Sequence, residues 1–134
     1  MKIYINDLTG KVKELKQIKN QAKSILSYLK LPSSTEVSIS FIDDSYMREL
    51  NLKYRDNNRA TDVLSFPQEG ELLGDILISV DKATAQSEEL GHTFEQEVRR
   101  LVVHGLLHLL GYDHKKLQEA QLMEEKEKEV LEFL

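Results

Sequence analysis

The sequence contains no cysteine among its 134 residues. That absence excludes disulfide bonds and restricts any metal site to histidine and carboxylate ligands. No apolar run approaches the roughly 20 residues that a membrane-spanning helix needs. The opening residues, MKIYINDLTG, are too polar for the apolar core of a signal peptide. We therefore expect a cytoplasmic protein with no membrane partner, folded as a single domain over residues 1–134.

Basic residues are outnumbered, since 18 Lys and Arg stand against 23 Asp and Glu. The formal net charge of −5 argues against a protein that coats nucleic acid by bulk electrostatics. The charge is unevenly distributed, however, because residues 1–30 carry seven lysines against Asp7 and Glu14, whereas the C-terminal segment is acidic. The lysine-rich segment is either a solvated helix face or a local basic surface that meets phosphate, and charge alone leaves both interpretations open.

Hydrophobic periodicity predicts an alternation of strands and helices. Apolar residues alternate with polar ones, or form short runs, in the four segments predicted as strands: 2–6, 36–42, 61–67 and 75–80. They recur every three or four positions in the segments predicted as helices: 11–29, 43–55, 81–90, 93–110 and 115–133. This order predicts an α+β fold, in which a mixed four-stranded sheet is packed with about five helices.

Three helix starts carry capping residues. Asp43 or Asp44 can cap the second predicted helix, and Asp81 the third. Thr93 is followed three residues later by Gln96, which predicts a capping box at the start of the fourth helix. The second half of that helix is apolar almost all round, so we expect it to be the central buried helix.

Three of the four histidines lie in the stretch HGLLHLLGYDH, residues 104–114. His104 and His108 are four residues apart on the central helix and therefore share one face. Gly111 can end the helix in a left-handed conformation and turn the chain, so that His114 returns as a third ligand. Three imidazoles leave the fourth position of a tetrahedral zinc site open, which is typical of catalytic sites. We expect one zinc ion per chain, although another divalent transition metal could bind the same ligands.

The histidine spacing matches that of the metzincin proteases except at Gly105, where those enzymes carry a catalytic glutamate. Glycine can neither activate water nor protonate a leaving amine, which argues against peptide hydrolysis. We expect Gly105 to allow another backbone segment, or a substrate, to come close. A metal-dependent peptidase remains an alternative if Asp113 or Glu97 supplies the base. The fourth histidine, His92, is predicted to lie in a surface loop or, as the less favoured alternative, to contact substrate.

The stretch HGLLHLLGYDH resembles the histidine signature of the YbeY family of bacterial endoribonucleases, which are rRNA maturation factors. NLKYRDNNRATDVLSFP (51–67) and LLGDILIS (72–79) resemble two further blocks of that family, so the likeness covers most of the chain from about residue 36 to 114. The resemblance implies an α+β fold, one zinc ion on three histidines and cleavage of single-stranded RNA. It also implies processing of the 3′ end of small-subunit rRNA, a part in ribosome quality control, and the ribosome or its small subunit as a partner.

The resemblance also implies a role for Arg55, and three aspartates are candidates from their sequence positions. Arg55 aligns with the arginine that the family places in its active-site cleft, where a guanidinium can bind phosphate at two points. Without the resemblance, Arg55 is a surface arginine at a helix end, and Arg59 is the second choice. Asp113 could orient a ligand imidazole or simply stabilise the turn. Asp62 and Asp75 are further carboxylates that could approach the site.

A non-catalytic function is the other alternative. In that interpretation the zinc ion is structural, and the lysine-rich first helix binds rRNA or protein during ribosome assembly. Nothing in the sequence separates this assembly factor from an enzyme, because a weak nuclease can also act mainly by binding.

Overall fold

A computed structural model describes residues 1–134 and shows one mixed four-stranded sheet with five helices. The strands are β1 (Lys2–Asp7), β2 (Glu36–Ile42), β3 (Val63–Pro67) and β4 (Leu72–Ser79). The helices are α1 (Leu15–Tyr28), α2 (Asp44–Arg55), α3 (Val80–Leu90), α4 (Phe94–Leu109) and α5 (Leu117–Phe133). The predicted α+β class is confirmed. No helix has the length and apolar character needed to cross a membrane.

The sheet has the strand order β1-β2-β4-β3, in which only β3 runs antiparallel to its neighbour. Alternate residues of β2 and β4 are fully buried on one face, where they meet α1 and α4 in the main core. These strand residues are Val37, Ile39, Phe41, Ile76 and Ile78. The second half of α4 is buried on nearly all sides, as its apolar sequence predicts. Helix α2 packs on the opposite face, around a small cluster of Ile42, Met47 and Leu64.

Helix α1 starts later than the periodicity predicts, at Leu15 instead of Lys11. The carboxylate of Asp7 accepts hydrogen bonds from the backbone N–H groups of Thr9 and Val12, both at 2.9 Å. These bonds hold the segment after β1 in a turn, because a short acidic side chain competes with the helix for backbone donors. The strand β4 is also longer than predicted, since its pairing with β2 extends back to Leu72.

The N-caps are confirmed at two helices and wrong at one. Asp43 caps α2, and Thr93 with Gln96 forms the capping box of α4. Helix α3, in contrast, is capped by the hydroxyl of Ser79 and not by Asp81. The carboxylate of Asp81 instead accepts the backbone N–H of Asp44, 2.8 Å away, and so ties the start of α3 to the start of α2. A long-range bond of this kind leaves no local signal in the sequence.

Candidate metal centre

Helix α4 presents two histidines on one face, one turn apart. The Nε2 atoms of His104 and His108 lie 3.1 Å from each other, and the ring centroids are 4.7 Å apart. This arrangement follows directly from the four-residue spacing on a helix. Both imidazoles line a cavity of about 840 Å³ that lies between the C-terminal end of α4 and β3.

The turn after α4 brings in the third histidine. Gly111 has a φ of 99°, its N–H donates to the carbonyl of His108, and the N–H of Tyr112 donates to the carbonyl of Leu107, both at 3.0 Å. These two bonds form a Schellman motif, which ends a helix with a left-handed residue. The chain then returns, and the ring of His114 lies 5.2 Å from that of His108. The prediction that Gly111 terminates the helix is confirmed.

The three imidazoles form a group that could hold a metal ion, because one nitrogen from each lies within 4.8 Å of the others. Burial lowers the pKa of His108, and the charges of His104 and His114 lower it further. A lowered pKa keeps the imidazole neutral near pH 7, which is the form that binds a metal. The donor set and its electrostatics therefore fit a transition-metal ion.

A carboxylate from a distant helix supports the first histidine. The Nδ1 atom of His104 is hydrogen-bonded to Oε1 of Glu127 in α5, while Nε2 of the same ring faces His108. Histidines that bind metals usually give their second nitrogen to a carboxylate or carbonyl, which fixes the tautomer and the ring orientation. Sequence analysis missed Glu127, because it is one of several glutamates in a charged helix and lies 23 residues from its partner.

We expect Glu127→Ala to weaken metal binding by about 10- to 100-fold, because the ring of His104 loses its orienting partner. Competition with a chromophoric chelator measures this affinity directly. Glu127→Gln, which can still accept a hydrogen bond, should lose less than Glu127→Ala. Glu125→Ala is the matched control, since Glu125 is an exposed glutamate of the same helix. Equal affinities in the Glu127→Ala and Glu125→Ala variants would rule out the orienting role.

The three aspartates predicted near the site differ in position. The carboxylate of Asp113 accepts the backbone N–H of His114 at 2.7 Å, a bond that lowers its pKa and holds the turn. Asp62 lines the cavity, with a carboxylate oxygen 3.9 Å from Arg100. Asp75 does not approach the histidines. It lies on the opposite face of the sheet, where it accepts a hydrogen bond from Gln68 at 3.1 Å.

Arg55 lies in the same cavity as the histidines. Its Nη2 atom donates to the backbone carbonyl of Ser65 at 2.9 Å, and its guanidinium carbon is 5.1 Å from the centroid of the Phe66 ring. Arg55 is exposed and forms no ion pair with a carboxylate, so the remaining N–H donors have no protein partner. The second choice, Arg59, is not among the residues that line the cavity.

Gly105 is buried and packs against the sheet. A Cβ atom there would lie 2.9 Å from Cγ2 of Ile76 and 3.2 Å from the hydroxyl oxygen of Ser65. That hydroxyl donates to the carbonyl of Gly105 at 3.1 Å and thereby joins β3 to α4. Glycine is therefore required for the close approach of α4 to the sheet. The close neighbours are side chains of β3 and β4 and not the predicted backbone segment.

The two remaining sequence candidates lie in a separate cluster. Glu97 is fully buried and accepts hydrogen bonds from Gln86 and Arg100, while one of its oxygens lies 2.9 Å from Nε2 of His92. Burial alone would raise the pKa of Glu97, but these hydrogen bonds outweigh it and lower the pKa. Neither Glu97 nor His92 lines the cavity. The predicted surface histidine is instead half-buried against an acidic partner.

The fold and this cavity define a class: an α+β protein whose central helix ends in an open three-histidine group able to hold a metal ion. Residues 4–134 match the family model described as Endoribonuclease YbeY. The chain belongs to the YbeY family, as the sequence resemblance indicates.

Individual relatives agree with that assignment. An Endoribonuclease YbeY of Syntrophomonas wolfei is 44% identical over 134 aligned residues, which cover 89% of this chain and 86% of the relative. One of Caldanaerobacter subterraneus is 46% identical over 129 residues, covering 84% and 82%. The solution structure of a Thermotoga maritima protein is similar with a TM-score of 0.71 and 30% identity, covering 97% of this chain and 87% of that one.

Proposed function

We propose that this chain is a metal-dependent endoribonuclease that cleaves single-stranded RNA in the cytoplasm. It acts in rRNA maturation, at the 3′ end of small-subunit rRNA, and in ribosome quality control, as one domain over residues 1–134. The observation that carries the proposal is the placement of Arg55 and the three-histidine group in one open cavity of a YbeY family member. One zinc ion, or another divalent transition metal, is bound by His104, His108 and His114.

The chemistry of phosphodiester cleavage matches these residues. A zinc ion held by His104, His108 and His114 would supply Lewis-acid chemistry for a phosphoryl oxygen. Arg55 binds a phosphate oxygen through the N–H donors that Ser65 does not use, and this stabilises the charge that develops in the transition state. The cation–π contact with Phe66 holds the guanidinium at the rim of the cavity. None of these steps needs the glutamate that a peptidase requires.

The peptidase alternative has lost one of its two bases. Glu97 lies outside the cavity in its own hydrogen-bond cluster. Asp113 does line the cavity, but the hydrogen bond from the backbone of His114 lowers its pKa and makes it a weaker base. Packing against Ile76 explains the glycine at position 105. Of the two candidate bases, only Asp113 lines the cavity, so the peptidase alternative depends on that carboxylate.

The non-catalytic alternative rests on one observation. Lys16, Lys19 and Lys23 of α1 are exposed, and none of them pairs with a carboxylate, so a basic surface is available for rRNA. This surface is compatible with an enzyme as well as with an assembly factor. Only turnover distinguishes the two functions.

Zinc-loaded and chelator-treated protein should be offered three labelled substrates side by side: a single-stranded RNA, the same RNA as a duplex, and an unstructured peptide. We expect that only the zinc-loaded protein cleaves a substrate, and that it cleaves only the single-stranded RNA. Cleavage of the peptide would favour the peptidase. Tight RNA binding without turnover, under every metal condition tested, would favour the assembly factor.

A further inference from the structure

A second cavity lies on the opposite face of the sheet from the metal centre. Its volume is about 370 Å³, and it is bounded by α2 and by the strands β2, β3 and β4. Most of its lining is apolar. The residues important here are Leu8, Tyr46, Leu50, Tyr54, Phe66 and Gln68, and we call this surface the aromatic groove.

One wall of the aromatic groove is a stripe along α2. Tyr46, Leu50 and Tyr54 are each four residues apart and so lie on one helix face. The two tyrosines remain 42% and 54% exposed. Tyr54 meets the ring of Phe66 edge to face, with the ring centroids 5.4 Å apart. The stripe thus offers flat aromatic surface to a ligand, with Phe66 bracing one end.

The aromatic groove is continuous with the metal cavity through Arg55. Ser65 and Phe66 are consecutive in β3, so their side chains point to opposite faces of the sheet. Ser65 lines the metal cavity, and Phe66 lines the aromatic groove. Arg55 bridges the two, because it bonds the carbonyl of Ser65 and covers the ring of Phe66. Since β3 is an edge strand, a bound chain can pass over this edge from one cavity to the other.

The charged side chains of the aromatic groove favour a base in its interior and a phosphate at its end near β3. Inside the groove lie the amide of Gln68 and the carboxylate of Asp75, hydrogen-bonded to each other at 3.1 Å. A carboxylate repels phosphate but accepts the N–H donors of a base edge. Cations lie at the end near β3, where Lys53 is 5.1 Å from the centroid of the Tyr54 ring and Arg55 covers Phe66. The floor suits a base and the rim suits a phosphate.

We propose that the aromatic groove binds a nucleobase of the same RNA strand whose phosphodiester lies at the metal centre. The base stacks on the tyrosine stripe while Arg55 holds the intervening backbone. This inference rests on the proposed function, and it explains a preference for single strands, since a paired base is not free to enter the groove. Stacking on aromatic side chains tolerates different bases, so the groove contributes affinity more than sequence selectivity.

The test uses Tyr46→Ala and Tyr54→Ala, with the corresponding Phe variants and with Leu52→Ala as controls. Leu52 is an exposed residue of the same helix that does not line the groove. We expect each Tyr→Ala change to raise KM for a single-stranded RNA about ten-fold, within the range of one base–aromatic stack. The kcat of Tyr46→Ala should change little, because Tyr46 does not touch the reacting phosphate, whereas Tyr54→Ala also removes the ring that packs on Phe66 beneath Arg55. The Phe variants and Leu52→Ala should resemble the wild type.

A series of RNA strands with one abasic site each locates the stacked base. Wild-type protein should bind weakly when the abasic site falls at one particular position along the strand, and Tyr46→Ala should not distinguish that strand from the intact one. Equilibrium binding to chelator-treated protein, measured by fluorescence anisotropy, gives dissociation constants that do not depend on turnover. A wild-type protein that binds RNA in this pattern without cleaving it would refute the proposed function but support the groove.

Two results would overturn the groove assignment. One is a wild-type protein that cleaves or binds RNA while both Tyr→Ala variants keep its KM, its dissociation constant and its abasic profile. The other is unchanged behaviour on RNA combined with loss of co-sedimentation with small ribosomal subunits, which would make the groove a surface for a protein partner.

Discussion

His108→Ala is expected to abolish metal binding at equimolar zinc and, with it, RNA cleavage. His108 lies between the other two ligands: its Nε2 is 3.1 Å from that of His104, and its ring is 5.2 Å from that of His114. Two imidazoles alone leave a zinc ion with too few protein ligands. Elemental analysis of the purified protein measures occupancy, and the RNase assay is run on the same samples.

Thermal unfolding provides an independent measurement of the same loss. A ligand that binds only the folded state stabilises it by about 4 kcal/mol at a thousand-fold excess over Kd, so zinc should raise the Tm of the wild type and leave that of His108→Ala unchanged. His92→Ala is the matched control, because His92 lies outside the cavity against Glu97. Stoichiometric metal in His108→Ala, or in His114→Ala, would remove that residue from the ligand set.

Arg55→Ala should lower the rate of RNA cleavage by about 10²- to 10³-fold, the usual cost of removing one group that stabilises transition-state charge. Folding and metal content should be almost unchanged, because Arg55 is exposed and its hydrogen bond is to a backbone carbonyl of an edge strand. Single-turnover cleavage separates the chemical step from RNA binding. Unchanged single-turnover rates in a folded, metal-loaded Arg55→Ala protein would exclude the role.

Two further variants sharpen the test of Arg55. Arg55→Lys should restore only part of the rate, since an ammonium keeps the charge but cannot make the planar two-point contact with phosphate. Arg59→Ala should have little effect, because Arg59 lies outside the cavity although it is close in sequence. If Arg59→Ala lowered the cleavage rate more than Arg55→Ala, the phosphate-binding role would belong to Arg59.

The histidine group shows how much of a site local sequence can predict. His104 and His108 share a face because a helix repeats every 3.6 residues, and Gly111 turns the chain because glycine adopts a positive φ at no steric cost. Each of these effects acts within a few residues, so the spacing of the residues along the chain was sufficient to predict that the three histidines come together. The order of strands and helices was predictable for the same reason, since periodicity and capping are also local.

Contacts between distant segments were decided only by the tertiary structure. Glu127 supports His104 from a helix whose sequence indicates only a charged surface. Asp75 lies on the far face of the sheet, although the sequence analysis places it among the carboxylates that could approach the site. The need for glycine at position 105 comes from its close contact with Ile76, which lies 29 residues earlier in the sequence. Such contacts join residues that are far apart in the sequence, and they form only when whole helices and strands pack together. The spacing of residues along one segment therefore could not specify them.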